Sequence, residues 1–171
     1  MKKTFLEINI KALEHNYFKI KSKIGNETKL LGVVKANAYG SDLIVIAKKL
    51  EELKIDYLAV AYVSEGVRLR KAGIKTPILV FIPQVEDIED IAKYQLQPSI
   101  YSFYFLNNFN FHLKSNNIQG YPCHLKINTG LNRIGFNEEE IKNATEKIKS
   151  SSSIKIISLY SHLAASEDLD C

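Results

Sequence analysis

Compact apolar runs alternate with segments of helical periodicity along the whole chain. Each run is long enough for a buried strand and too short for a typical helix. The segments between them repeat apolar residues every three or four positions, which is the spacing of one helix face. The predicted strands lie at 30–35, 56–61, 78–82, 97–101, 121–128 and 154–160.

Strand and helix units that repeat every 20 to 30 residues or so predict an α/β fold with parallel strands. An extended segment over 5–10 and a helix from Leu13 to Gly25 precede the first of these units. A closed barrel of eight units needs about 250 residues, whereas this chain has 171. We therefore predict a partial (β/α)8 TIM barrel of about six strand-helix units, preceded by an N-terminal strand and helix. Residues 1–171 would form one incomplete domain.

Composition narrows the class of protein. The chain is 46% hydrophobic and 25% charged, with a formal net charge of +4, and its basic residues form no block of the kind that binds nucleic acid. Cys123 and Cys171 are too few for a disulfide framework and lack metal-ligand spacing. We expect a cytoplasmic protein with no metal site. Because no apolar span reaches about 18 residues, we predict no membrane segment.

Barrel enzymes carry their sites at the carboxyl ends of the strands, and Lys35 stands at the end of the first predicted strand. Burial there favours a neutral, nucleophilic amine, although the lysine also fits the polar end of a structural strand. Tyr39 lies in the turn that follows, before a helix that Ser41 or Asp42 can cap. Free amides at that helix start would favour a phosphate.

Two further strand ends carry candidate groups. Arg133 lies in a glycine-containing loop, where it is placed to bind a carboxylate or phosphate. The alternative interpretation is that it is an ordinary surface arginine. His162 ends the sixth predicted strand, where it could stack on a flat ligand, exchange a proton or serve as a structural histidine. Lys126 alternates with His124 along the fifth strand, and an inward lysine near Arg133 is costly unless its charge is neutralised.

Three ordered segments resemble the signatures of one enzyme family. Residues 34–40, VKANAYG, resemble the pyridoxal-phosphate signature of bacterial alanine racemases. Residues 126–136, KINTGLNRIGF, resemble the second signature of that family, and residues 161–165, SHLAA, resemble the third. Together with the opening segment, the resemblance covers nearly the whole chain.

The resemblance implies a role for each candidate. Lys35 would bind pyridoxal 5'-phosphate (PLP) covalently and act as one of two catalytic bases. Tyr39 would hold the phosphate, and His162 would lie against the pyridine ring. Arg133 would assist binding of the substrate carboxylate. Lys126 matches a position that is carbamylated in some members, and this modification would give it a negative charge to pair with Arg133.

The function that this resemblance implies is the interconversion of L-alanine and D-alanine for peptidoglycan synthesis, by a homodimer of which this chain is a truncated N-terminal part. In the family, the second base and the arginine facing the pyridine nitrogen come from positions that would follow Cys171. We therefore expect residues 1–171 alone not to racemise alanine at an enzyme-like rate.

Other functions are compatible with the same motifs. The family commonly has His-Gly where this chain has Ser41 and Asp42, and Asp where it has Asn128. A racemase of another amino acid, or the racemase half of a fused ligase-racemase, would share the fold. A non-catalytic PLP-binding barrel protein and a structural barrel fragment with an incidental Lys35 are the alternatives outside racemase chemistry.

Overall fold

A computed structural model describes residues 4–25 and 27–166. The chain forms two compact units. The first runs to Phe81 and also includes Lys93–Leu96, and the second comprises Ile82–Ala92 and continues from Gln97.

The first unit is built on three parallel strands. Leu31 pairs with Tyr57, and Leu58 in turn pairs with Ile78. Helices cover the strands with buried aliphatic faces, as expected for strands that are themselves apolar. The elements are α1 (Ile10–Ile24), β1 (Leu31–Val33), α2 (Lys35–Tyr39), α3 (Leu43–Glu52), β2 (Tyr57–Val60), α4 (Val63–Lys71) and β3 (Ile78–Val80).

The second unit repeats the pattern with an aromatic core. Phe105 and Phe109 stack with ring centroids 5.5 Å apart, and Tyr121 meets Phe109 edge-on at 5.4 Å. Phe105 and Phe109 belong to a segment whose helical periodicity is weak in the sequence and which nonetheless forms a helix of 13 residues, whereas Tyr121 lies on the strand that follows it. The elements are a 3-10 turn (Val85–Asp87), α5 (Ile88–Lys93), β4 (Gln97–Ile100), α6 (Phe103–Ser115), β5 (Tyr121–Lys126), α7 (Glu138–Lys149) and β6 (Ile154–Tyr160).

All six predicted strands are present, and the pairings within each unit are parallel. The predicted N-terminal strand is wrong: residues 4–9 form no strand, and α1 begins at Ile10. A strand needs a neighbouring strand to accept and donate its backbone hydrogen bonds, and no described residue pairs with this segment. Asn9 instead caps α1 by accepting a hydrogen bond from the Ala12 amide at 3.0 Å. No helix within residues 4–25 and 27–166 is long and apolar enough to cross a bilayer.

Polar side chains run across one face of the strands in the second unit. His124 is buried, with its Nδ1 atom 2.6 Å from the Ser158 hydroxyl and its Nε2 atom 3.0 Å from Gln97 Oε1. The Gln97 oxygen only accepts, so Nε2 donates to it. Burial lowers the pKa of His124 to about 4, so the imidazole is neutral near pH 7 and its Nδ1 atom accepts from the Ser158 hydroxyl.

This buried histidine predicts an acid-sensitive fold. As the pH falls from 6.5 towards 4, the unfolded chain takes up a proton at His124 that the folded chain excludes, so the free energy of unfolding decreases. We expect His124 to account for about 2–3 kcal/mol of this loss. Urea denaturation at several pH values checks it: the decrease should be smaller by that amount in His124→Asn. Parallel pH profiles for the two proteins would contradict the assignment.

Candidate functional site

Lys35 stands where β1 gives way to a turn. Pairing with β2 continues one residue past β1, because the Val34 amide donates to the Ala59 carbonyl at 2.8 Å. The side chain of Lys35 is half-buried. Among the residues that the structure describes, none accepts a hydrogen bond from its amine or forms an ion pair with it. The amine is therefore available to a ligand at the carboxyl end of the strand.

The turn after Lys35 has the opposite hand to an ordinary helix. Residues 36–39 have φ angles between 52° and 55°. The Ala38 amide donates to the Val34 carbonyl and the Gly40 amide to the Ala36 carbonyl, both at 2.9 Å. Such a turn costs about 1–2 kcal/mol per non-glycine residue, so surrounding contacts must hold it. Tyr39 ends the turn with its side chain 68% exposed.

The start of α3 does not offer the free amides that the sequence suggested. Asp42 Oδ1 accepts hydrogen bonds from the amides of Ile44 and Val45, both at 2.9 Å. The Leu43 amide donates to Asn37 Oδ1 at 3.3 Å. The expectation of free amides at this helix start is therefore wrong, because the chain's own side chains accept hydrogen bonds from them. Asp42 is the cap of α3, as one reading of the sequence predicted.

In the second unit, Lys126 is buried at the end of β5, only 5% exposed. Its Nζ atom lies 4.9 Å from the centre of the Tyr160 ring, a cation–π distance. Burial, and secondly the positive charge of Arg133, lowers the pKa of Lys126. The inward orientation that strand alternation allowed is therefore observed, and so is the unfavourable proximity to Arg133.

The loop after β5 carries Arg133 and is shaped by Asn128. The Asn128 side chain accepts hydrogen bonds from the Gly130 amide at 3.2 Å and the Asn132 amide at 2.9 Å. Its own amide group donates to Asn132 Oδ1 at 2.8 Å. An amide at this position therefore organises the loop without a negative charge. Arg133 itself is exposed, and no described residue forms an ion pair with it.

Gly135 brings this loop back against β5. The Phe136 amide donates to the Lys126 carbonyl at 3.0 Å, and the Asn128 amide donates to the Phe136 carbonyl at 2.9 Å. A Cβ atom on Gly135 would lie 2.9 Å from the carbonyl carbon of Ile127. Only glycine fits this approach, and its φ of +115° is also unfavourable for other residues.

Three of the predicted site residues share one small pocket in the second unit. Lys126 forms its buried wall, while Arg133 and the exposed His162 approach from loops at the ends of β5 and β6. Lys35 and Tyr39 occupy the two ends of the left-handed turn in the first unit. The lining of the pocket is Lys126, Ile127, Asn128, Thr129, Leu131, Arg133, Ile134 and His162.

Residues 8–171 match the family model described as the alanine racemase N-terminal domain. The chain belongs to the alanine racemase family. It is 37% identical to an alanine racemase of Synechocystis sp. over 97% of the chain, which is 45% of that relative. It is also 36% identical to an amino-acid racemase of Enterococcus faecalis over 96% of the chain, or 22% of that relative.

Solved structures of the family give the same result for the fold. A Clostridium difficile alanine racemase superposes with a TM-score of 0.82 and 36% identity, over 90% of this chain and 40% of that one. The partial barrel that the sequence predicts is therefore confirmed. The chain spans less than half the length of these two alanine racemases.

One residue of the Lys35 region was missed by sequence reasoning. Glu65 reaches back from α4 and accepts a hydrogen bond from the amide of Ala36, next to Lys35. The sequence indicates only that Glu65 lies in the first turn of a helix. Nothing in local spacing reveals a contact with a residue 29 positions earlier.

Proposed function

We propose that this chain is an incomplete N-terminal barrel domain, residues 1–171, of a PLP-dependent alanine racemase. The observation that carries the proposal is Lys35: in a chain of this family, a half-buried lysine without an ion-pair partner among the described residues stands at the carboxyl end of a parallel strand. The substrate of the proposed racemase is alanine, a small molecule. When bound, PLP withdraws electrons from the substrate and acidifies its Cα–H.

The residues present fit the chemistry of this cofactor. PLP offers an aldehyde, a phosphate and a flat pyridine ring. The Lys35 amine would serve as the nucleophile for the aldehyde and as a base on one face of the substrate. Tyr39 has an exposed hydroxyl that can donate to the phosphate, and the exposed His162 ring can lie against the pyridine. Arg133 supplies a guanidinium for the substrate carboxylate.

Carbamylation of Lys126 is the second part of the proposal. Carbon dioxide reacts with a neutral amine: a C–N bond forms and one proton leaves to solvent. Both causes that lower the pKa of Lys126, burial first and Arg133 second, favour that neutral amine. The product carries a negative charge, so it would turn the repulsion with Arg133 into attraction.

Equilibration of the folded protein with isotopically labelled carbon dioxide checks this modification. We expect one labelled carbamate in the NMR spectrum, absent in Lys126→Gln and retained in Lys142→Gln, which changes an exposed lysine on α7. A plain amine at Lys126 in the folded, loaded protein would contradict the modification. It would leave the assignment of Lys35 untouched.

The function itself is tested with a chimaera. The chain is joined to the C-terminal part of the Synechocystis racemase, which lies beyond the matched residues. The PLP-loaded chimaera is given L-alanine, L-serine and L-lysine in separate assays. We expect formation of D-alanine to predominate, and no comparable turnover by residues 1–171 alone. Robust racemisation by the isolated chain would contradict the division of the active site between the two parts.

Two alternatives give different outcomes in this assay. Preferential turnover of another amino acid would favour a racemase of different specificity, a function supported by the similarity to the Enterococcus faecalis amino-acid racemase. A folded chimaera that binds PLP without racemising any substrate would favour a non-catalytic PLP-binding protein. Control activity comes from the parent Synechocystis enzyme.

The remaining parts of the proposal concern the whole protein. We propose a cytoplasmic homodimer that supplies D-alanine to peptidoglycan. Phe5 and Leu6 are 81% and 65% exposed in the segment before α1. Their exposure supports a contact between this segment and the C-terminal domain that full-length racemases carry.

A further inference from the structure

The Glu65 carboxylate joins the ends of two strands in the first unit. Its Oε1 atom accepts a hydrogen bond from the Ala36 amide at 2.6 Å. Its Oε2 atom accepts from the amides of Ala61 at 2.8 Å and Tyr62 at 3.2 Å. Ala36 follows Lys35 directly, and Ala61 follows the last residue of β2. One side chain therefore connects the turn after Lys35 with the carboxyl end of the neighbouring strand.

Helix capping explains only half of this arrangement. Glu65 occupies the third position of α4, and its bond to the Tyr62 amide satisfies the backbone just before the helix, as the acidic residue of a capping box does. That role requires one oxygen and the backbone immediately before the helix. The other oxygen makes the shortest of the three bonds, to a different strand end. Since hydrogen bonds to a charged acceptor are about twice as strong as neutral ones, this contact contributes to holding the turn.

The backbone of Lys35 lies between two hydrogen bonds, one to β2 and one to the first turn of α4. On one side, the Val34 amide donates to the Ala59 carbonyl at 2.8 Å. On the other side, the Ala36 amide donates to Glu65. The left-handed turn begins at Ala36, so the peptide between Lys35 and Ala36 is where the chain changes hand. Fixing that peptide plane fixes the direction in which the Lys35 side chain leaves the backbone.

We propose that Glu65 is a positioning residue for Lys35, acting through the Ala36 amide to hold the lysine where it captures the cofactor. The inference rests on the proposed function, because it takes Lys35 as the group that captures PLP. No described residue holds the Lys35 amine directly, so the backbone is the part of the structure that orients it. Loss of the hydrogen bond between Glu65 and the Ala36 amide should therefore slow covalent capture of PLP by Lys35 more than it weakens non-covalent binding of the cofactor.

Glu51 provides a matched control in the same unit. Its carboxylate also accepts three hydrogen bonds, from the amides of Lys75 and Thr76 at 2.7 Å and from the Thr76 hydroxyl at 2.8 Å. These partners precede β3, so they lie at the amino ends of the strands, opposite Lys35. Glu51→Gln and Glu65→Gln make the same chemical change at opposite ends of the strands.

The experiment separates capture from binding. The rate of covalent capture is followed by the visible absorbance of lysine-bound PLP, and non-covalent affinity is measured with pyridoxine 5'-phosphate, which lacks the aldehyde. We expect Glu65→Gln to slow capture by about 10- to 100-fold with affinity for pyridoxine 5'-phosphate within about two-fold of the wild type. Glu51→Gln should leave both quantities at wild-type values.

Other results would overturn the proposal. Capture by Glu65→Gln at a rate similar to the wild type would do so, and so would an equal loss of capture and of pyridoxine 5'-phosphate affinity. If Glu65→Gln loses its circular dichroism spectrum, Glu65→Asp carries the test: it keeps the charge, is shorter by one methylene, and should slow capture in the same way. Wild-type protein that captures PLP on another lysine would refute the role of Lys35 itself, which is a separate failure.

Discussion

Lys35→Ala is expected to abolish covalent capture of PLP, because it removes the amine that attacks the aldehyde. The visible absorbance of lysine-bound PLP should fall below detection in the purified, PLP-treated chain. The affinity for pyridoxine 5'-phosphate should change far less, since that ligand forms no bond to the amine. Absorbance spectra and a binding titration check the two quantities.

Lys48→Ala is the matched control for this change. Lys48 is an exposed lysine on α3 in the same unit, and its loss should leave both the absorbance and the affinity unchanged. A visible band that persists in Lys35→Ala and disappears in no single-lysine variant would mean that PLP reacts with surface lysines at random. The proposed anchor would then be wrong.

Gly135→Ala is expected to lower the free energy of unfolding by about 2–4 kcal/mol. The new Cβ would lie 2.9 Å from the Ile127 carbonyl carbon and 3.0 Å from both the Asn128 nitrogen and Lys126 Cγ. Two of these atoms are backbone and cannot move away without opening the loop against β5. The same displacement should disturb the pocket that contains Lys126 and Arg133.

Gly120→Ala separates this clash from the effect of a positive φ alone. Gly120 has a φ of +64°, and a Cβ there meets nothing within 4 Å. We expect Gly120→Ala to cost about 1 kcal/mol. Urea denaturation of the two variants and the wild type measures the difference. Equal losses at the two positions would show that the close approach at Gly135 has no energetic consequence.

The sequence was sufficient to predict the elements that depend on hydrophobic periodicity. The strand predicted at 154–160 coincides with β6, and the strand predicted at 121–128 is observed as β5. Signature motifs supplied the candidate roles, because residues such as Arg133 have no distinctive local spacing of their own. Alternation along one strand predicted only that Lys126 shares a face with His124, and the structure shows that both residues are buried.

Features that depend on distant contacts were not predictable in the same way. The segment before Ile10 has strand-like composition, yet a strand forms only beside a partner strand. The left-handed turn after Lys35 contains one residue, Asn37, whose type favours positive φ. The sequence predicted free amides at the start of α3, but these amides donate hydrogen bonds to the side chains of Asp42 and Asn37.

Dependence on a distant contact also explains why the sequence did not predict the role of Glu65. Its helix-capping role is visible from sequence as an acidic residue in a first helical turn. The bond to the Ala36 amide depends on β1 and β2 lying side by side, in register from Leu31 opposite Tyr57. Pairing of the strands therefore creates the contact that local residue types cannot indicate.

Identification of the lysine that carries PLP tests the central claim most directly. The PLP-loaded chain is reduced with borohydride, which makes the attachment permanent, and is then digested and mapped by mass spectrometry. We expect the pyridoxyl group on the peptide containing Lys35, at close to one per chain. A group carried instead by Lys126, or spread over several exposed lysines, would contradict the account.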